Sequence, residues 1–143
     1  MRITYRNEKN TEYWKRRWDN IEVDEPAFEI NNYPLRYANL IVKNPNQNIL
    51  EAGCGAGRLL RFFHNKGYKI TGIEFFEDII EKLKKKDNSL NVKVENILNL
   101  NFKDDFFDCV LAFGLYHNFE SENLDRAISE TYRVMKKSAK ICA

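Results

Sequence analysis

A carboxylate, three glycines and a second carboxylate carry most of the chemistry legible in this chain. Glu51 precedes Gly53, Gly55 and Gly57, and Glu74 stands 19 residues beyond Gly55. Glycines so spaced let the backbone turn tightly and approach a ligand that side chains would hold away. Two phosphate cradles share this habit, and spacing excludes both. In the dinucleotide pattern G-x-G-x-x-G the third glycine would fall on Arg58 counting from Gly53, or on Leu60 counting from Gly55. The Walker pattern fails as well, because no Gly-Lys-Ser/Thr follows the turn. Glu51 adds a charge argument: a desolvated carboxylate repels a pyrophosphate and attracts a cation. A ligand carrying an ammonium or a sulfonium suits this turn better than one carrying phosphates.

The elements that must hold these residues alternate along the chain. Asn48–Ala52 is a short apolar strand running into the glycine turn, and Arg58–Phe63 continues with helical spacing until Asn65-Lys66-Gly67 stops it. Tyr68–Glu74 is a second strand. Glu77–Lys86 is a helix with Ile79, Ile80 and Leu83 inward and an acid-to-lysine polarity that suits its dipole. Asn91–Glu95 and Phe107–Phe113 are further strands. A helix from about Leu124 to Met135 precedes a final strand beginning near Lys140. Strands and helices alternating in this way specify an α/β fold with a parallel, doubly wound sheet and right-handed crossovers. Ligands of such sheets sit beyond the strands' carboxyl ends, where the winding reverses, and Glu51–Gly57 occupies that place.

The turn and its flanks resemble a known family. Ile49-Leu50-Glu51-Ala52-Gly53-Cys54-Gly55-Ala56-Gly57 is similar to motif I, E/D-x-G-x-G-x-G, of the class I S-adenosylmethionine-dependent methyltransferases. The likeness covers about residues 35–143 and implies a three-layer Rossmann-like sheet, a methyl-transfer activity and S-adenosylmethionine as cofactor. By this resemblance Glu51 faces the cofactor's ammonium, and the backbone of Gly53, Cys54, Gly55 and Gly57 lies beneath the ligand. Glu74 accepts both ribose hydroxyl protons, and Phe75 packs on the adenine face. Asn96 stands where the family more often has Asp, with an amide oxygen able to accept from the adenine amine; its alternative is a turn residue. Ile97 is an apolar wall, and Phe113 borders the sulfonium. No catalytic residue is assigned. His117, just past the fourth strand, is a candidate general base or substrate contact, with an ordinary loop histidine as the alternative.

The family's sheet has seven strands, whereas this chain reaches only the fifth, with Ser138-Ala139 where Gly-Gly is common. The expected sheet is therefore shortened to about five strands and carries an open edge. Residues 1–34 read as a helical and aromatic cap, with Trp14 and Trp18 four apart and facing one side; their expected role is core packing rather than a lid. Residues 35–143 form the cofactor-binding domain.

Composition narrows the classes further. The 143 residues hold Lys+Arg 23 and Asp+Glu 21, a net +2 too balanced to point to nucleic acid or a membrane surface. No apolar run approaches the roughly 20 residues of a membrane-spanning helix, and residues 1–10 lack a secretory apolar core. Cys54, Cys109 and Cys142 are odd in number and far apart, which suits a reducing cytoplasm and offers neither a disulfide scaffold nor a metal knuckle. Cys54 reads as a small buried filler rather than a nucleophile. Three functions are carried forward. The first is a methyltransferase acting on an acceptor that is expected to be a small molecule. The second is a non-catalytic cofactor-binding module that pairs with itself or another chain through the open edge. The third, a nicotinamide-dependent oxidoreductase, is disfavoured by Glu51 and Arg58.

Overall fold

The computed structural model describes residues 10–21, 23 and 33–143. The remainder of the cap segment expected over residues 1–34 lies outside the described residues. Helix α1 spans Asn10–Asp19 and α2 Tyr33–Ile41; then β1 (Ile49–Ala52), α3 (Arg58–Asn65), β2 (Ile70–Glu74), α4 (Glu77–Lys86), β3 (Val92–Val94), β4 (Phe107–Leu111), α5 (Ser121–Val134) and β5 (Met135–Cys142) follow. The sheet order is β3-β2-β1-β4-β5, parallel throughout. Chain direction across the sheet reverses between β1 and β4, which makes their carboxyl ends the switch point.

Period-two alternation within the strands feeds two cores. Ile49, Cys109 and Leu111 face one side, where α2, α3 and α4 bring Leu35, Leu60, Phe63 and Leu83. Leu50 and Val110 face the other, under Ala127 and Val134 of α5 and the segment after β3 that carries Ile97 and Leu100; Phe107 joins this second core out of alternation with Cys109, where the register with β5 is irregular. Helix, sheet and helix make three layers, as the sequence pattern implies.

The strand after α5 departs from expectation. The helix ends at Val134, and β5 starts immediately at Met135 instead of near Lys140. Phe107 pairs with Met135 and Cys109 already with Lys140, so residues 136–139 bulge from the ladder. Lys136, one residue beyond the expected helix end at Met135, reaches Asp108 at 2.7 Å and fixes that bulge. Backbone bonds from Asp105 to Arg133 and from Phe106 to Val134 bring the two segments together before the ladder begins.

Candidate functional site

β1 delivers Glu51 to the floor of a crevice of about 620 Å³ at the switch point, a size within the ordinary range of ligand sites. The side chain is 7% exposed, and its Oε2 has no hydrogen-bond partner. Burial pushes its pKa up to about 8. The Leu60 amide and the Arg58 charge oppose that rise, and the Glu74 charge adds to it. A buried carboxylate oxygen without a donor costs stability unless a ligand supplies one. Ammonium is the donor that its charge favours.

β2 ends on Glu74, whose carboxylate accepts from the Gly55 amide at 3.2 Å and the Phe75 amide at 2.7 Å. Burial raises its pKa, while the amides of Phe75, Gly55 and Phe76 work against the rise. These bonds hold the glycine turn against β2 and leave lone pairs toward the crevice. Phe75 is 53% exposed beside it, a bare aromatic face at the crevice wall and a surface for a planar ring. Ile97 is buried at the same wall. Asn96 borders the crevice too, and its Oδ1 accepts from the Leu98 amide at 2.9 Å, so one lone pair of that oxygen closes a turn.

The other expected residues divide. Gly53, Cys54, Gly55 and Phe113 line the crevice. The Cys54 amide donates to Ile73 O at 2.9 Å, and burial, with the charges of Glu51 and Glu74, raises its thiol pKa well above the ordinary value. That is the behaviour of a filler. His117 is exposed on the short turn Tyr116–Asn118 and is not among the crevice residues. Gly57 is also outside the lining. It caps α3 with φ +82, and a Cβ there would meet Leu83 Cδ2 of α4 at 2.5 Å. Its missing side chain serves helix packing. Gly57→Ala is therefore expected to destabilise the fold by about 2–4 kcal/mol, from the left-handed backbone and the overlap together. A urea titration whose midpoint does not move would refute that role.

The wall contributed by α1 escapes the motif reading. Trp14 and Trp18 stack at 5.3 Å, and Trp18 packs with Ala56 and Ile79. A Cβ on Gly55 would lie 2.7 Å from the Trp18 ring. Trp14, Arg17 and Trp18 all border the crevice, so the aromatic pair is both core and cover. Trp14 Nε1 donates to Asn118 Oδ1 at 3.1 Å, and Lys82 Nζ donates to the carbonyls of Trp18, Asp19 and Ile21 at 2.7, 3.0 and 3.1 Å. The Trp spacing told which face they share; their partners, far along the chain, left no local signal. Glu95, Leu115, Asn118 and Glu120 are among the other lining residues that the motif did not announce.

A three-layer parallel α/β sheet with its crevice at the switch point defines the Rossmann-like class. Residues 50–143 match the model of the methyltransferase domain family, and the chain belongs to that family. It is 35% identical over 105 residues to 24-methylenesterol C-methyltransferase 3 of Arabidopsis thaliana, covering 68% of this chain and 28% of that protein. A SAM-dependent methyltransferase structure from Methanosarcina mazei superposes with TM-score 0.61 and 29% identity, over 73% of this chain and 53% of that one. A putative S-adenosyl-L-methionine-dependent methyltransferase from Methanococcus maripaludis shares the fold at TM-score 0.67 and 16% identity, over 99% of this chain and 66% of that one. The chain spans well under half the length of the curated relatives it matches first. S-adenosylmethionine is the cofactor of this domain, and the unpartnered Glu51 oxygen in a crevice fits its cationic end. Among the described residues no helix is long and apolar enough to cross a membrane.

Proposed function

We propose that this chain binds S-adenosylmethionine in the crevice at the ends of β1 and β2 and transfers its methyl group to a small-molecule acceptor. The observation that carries the reading is the buried, unpartnered oxygen of Glu51. In this reading Glu51 takes the ammonium, Glu74 the ribose hydroxyls, and Phe75 and Ile97 the two faces of adenine, with Asn96 at its edge. The backbone of Gly53, Cys54 and Gly55 allows close approach, with Gly57 bracing the turn from behind, and Phe113 shields the sulfur from water. The bound cofactor supplies a methyl group on a positively charged sulfur, a leaving group already activated. The protein's task is then mainly alignment, which can supply roughly 7–11 kcal/mol. A base is required only for an acceptor that must lose a proton early, and His117, outside the crevice lining, is poorly sited for it.

Charge supports a small acceptor over a polyanion. The crevice is lined by the carboxylates of Glu51, Glu74, Glu95 and Glu120 against the guanidinia of Arg17 and Arg58, the reverse of a phosphate-binding groove. Residues 1–34 act as the cap and 35–143 as the cofactor domain, in a cytoplasmic protein whose Cys54, Cys109 and Cys142 are free thiols. A second reading, a non-catalytic module pairing with itself or another chain, is favoured by one observation: β5 lies at the sheet edge, with Ile141 exposed.

Calorimetry with S-adenosylhomocysteine and with NAD tests the cofactor assignment. Binding of the first and not the second is expected, and the converse would overturn it. Methyl transfer to a panel of small metabolites, run beside sedimentation, separates an active monomer from a silent, self-associating module.

A further inference from the structure

The roof of the crevice is made by two covers that rest on the glycine turn and come from distant parts of the chain. Trp18 of α1 lies over Gly55, and Leu115, in the loop after β4, lies over Gly53, where a Cβ would stand 3.1 Å from its Cδ1. Apolar contacts of this kind are non-directional and leave the two covers free to slide. One side chain supplies the direction. Asn118 Nδ2 donates to Gly114 O at 2.8 Å and to Leu115 O at 2.9 Å, and its Oδ1 accepts from Trp14 Nε1 at 3.1 Å. Trp14 in turn stacks on Trp18. Asn118 thus ties the loop after β4 to α1 across 104 residues of chain, while Lys82 holds the far end of that helix to α4.

The position demands an amide. Two carbonyl oxygens and one indole N–H call for two donors and an acceptor on one short stem. Aspartate answers the indole but sets a carboxylate against both carbonyls, and serine has one donor for two acceptors. Both tied segments face the crevice: Phe113, Gly114 and Leu115 line it on one side, Trp14 and Trp18 on the other, with Asn118 between them in the lining. In the cofactor reading Phe113 borders the sulfur, so the gap between these walls is where an acceptor comes into line with the methyl group. Alignment there is sensitive, because a misplacement of about 1 Å can cost on the order of a hundredfold in rate. We propose that Asn118 is a positioning residue for methyl transfer, a single amide that fixes the α1 wall and the loop after β4 at the separation the cofactor requires. The proposal rests on the cofactor reading above and gives Asn118 no contact with the reacting atoms.

The test is a double-mutant cycle read on ligand affinity. Trp14→Phe keeps an aromatic ring against Trp18 and removes only the indole N–H, whereas Asn118→Ala removes all three side-chain bonds. Calorimetry with S-adenosylhomocysteine is run well below the melting temperature of each protein. Asn118→Ala is expected to bind about tenfold more weakly than wild type, and Trp14→Phe about threefold. The double variant should lose no more than Asn118→Ala alone, because both changes break the same bond. A purely structural role lowers the melting temperature and leaves the affinity of the folded protein unchanged; that result in either single variant would overturn the proposal. So would independent losses that multiply to about thirtyfold in the double variant. Should Asn118→Ala fail to fold, Trp14→Phe decides alone. Wild-type protein that does not bind S-adenosylhomocysteine would instead overturn the cofactor reading itself, a distinct outcome seen before any variant is made.

Discussion

Replacing Glu74 with alanine is expected to weaken binding of S-adenosylhomocysteine by about a hundredfold or more. In the proposed binding mode, two charge-assisted hydrogen bonds to ribose hydroxyls, each contributing about 1.5–3 kcal/mol, disappear together. A second loss compounds the first, because the carboxylate also accepts from the Gly55 and Phe75 amides, and alanine leaves those donors without their acceptor. Glu74→Gln separates the two effects. Its carbonyl oxygen can still hold a backbone amide, so the turn persists, while the ribose gains only a neutral partner; an intermediate loss of about tenfold follows. Calorimetry with the three proteins, each checked by thermal melting, reads both contributions. Undiminished affinity in a folded alanine variant would remove Glu74 from the ribose.

The second large effect lies in pH. Burial holds the Glu51 pKa near 8 instead of 4.5. Below pH 4.5 the carboxyl is protonated in folded and unfolded chains alike. Between there and pH 8 the unfolded chain ionises while the folded one keeps its proton, so the folded state binds more protons and stability falls as pH rises. Above pH 8 the contribution levels off at its least favourable. An ammonium arriving beside Glu51 draws the pKa back down, so binding expels a proton. Affinity for S-adenosylhomocysteine should then climb with pH by at most about tenfold per unit, up to about pH 8. Glu51→Gln copies the neutral carboxyl. It should match wild type in stability in mild acid, exceed it at pH 9, and bind more weakly with a flattened pH profile. Melting curves at pH 6 and 9, with calorimetry in two buffers of different ionisation heat, count the proton directly. Parallel pH profiles for wild type and variant would show that Glu51 does not titrate as described.

What could be read in advance was what depends on near neighbours in sequence. Helix α4 begins and ends where its acidic start and lysine-rich end place it, because dipole and apolar spacing act within a few turns. The glycine turn and Glu74 were legible because a motif fixes residue types at fixed distances. Motif arithmetic does not say which way an absent side chain would have pointed. Gly57 counts as part of a ligand cradle in sequence, whereas in the structure it makes room for Leu83. The early start of β5 was hidden because Lys136, Lys137 and Ser138 show no apolar alternation; only pairing of Met135 with Phe107 and the bond to Asp108 make that segment a strand. The roof was least legible of all. Trp18 meets Gly55, Lys82 meets the end of α1, and Trp14 meets Asn118 across 104 residues, contacts that tertiary structure creates and no local pattern announces.

The three hydrogen bonds from Lys82 to the end of α1 bear on the shape of the crevice. With that helix pinned on one side by an ammonium and on the other by an indole–amide bond, the wall it adds to the crevice stands on contacts far along the chain from the glycine turn. Substitution of Lys82, on the face of α4, would then loosen that wall without touching the glycine turn.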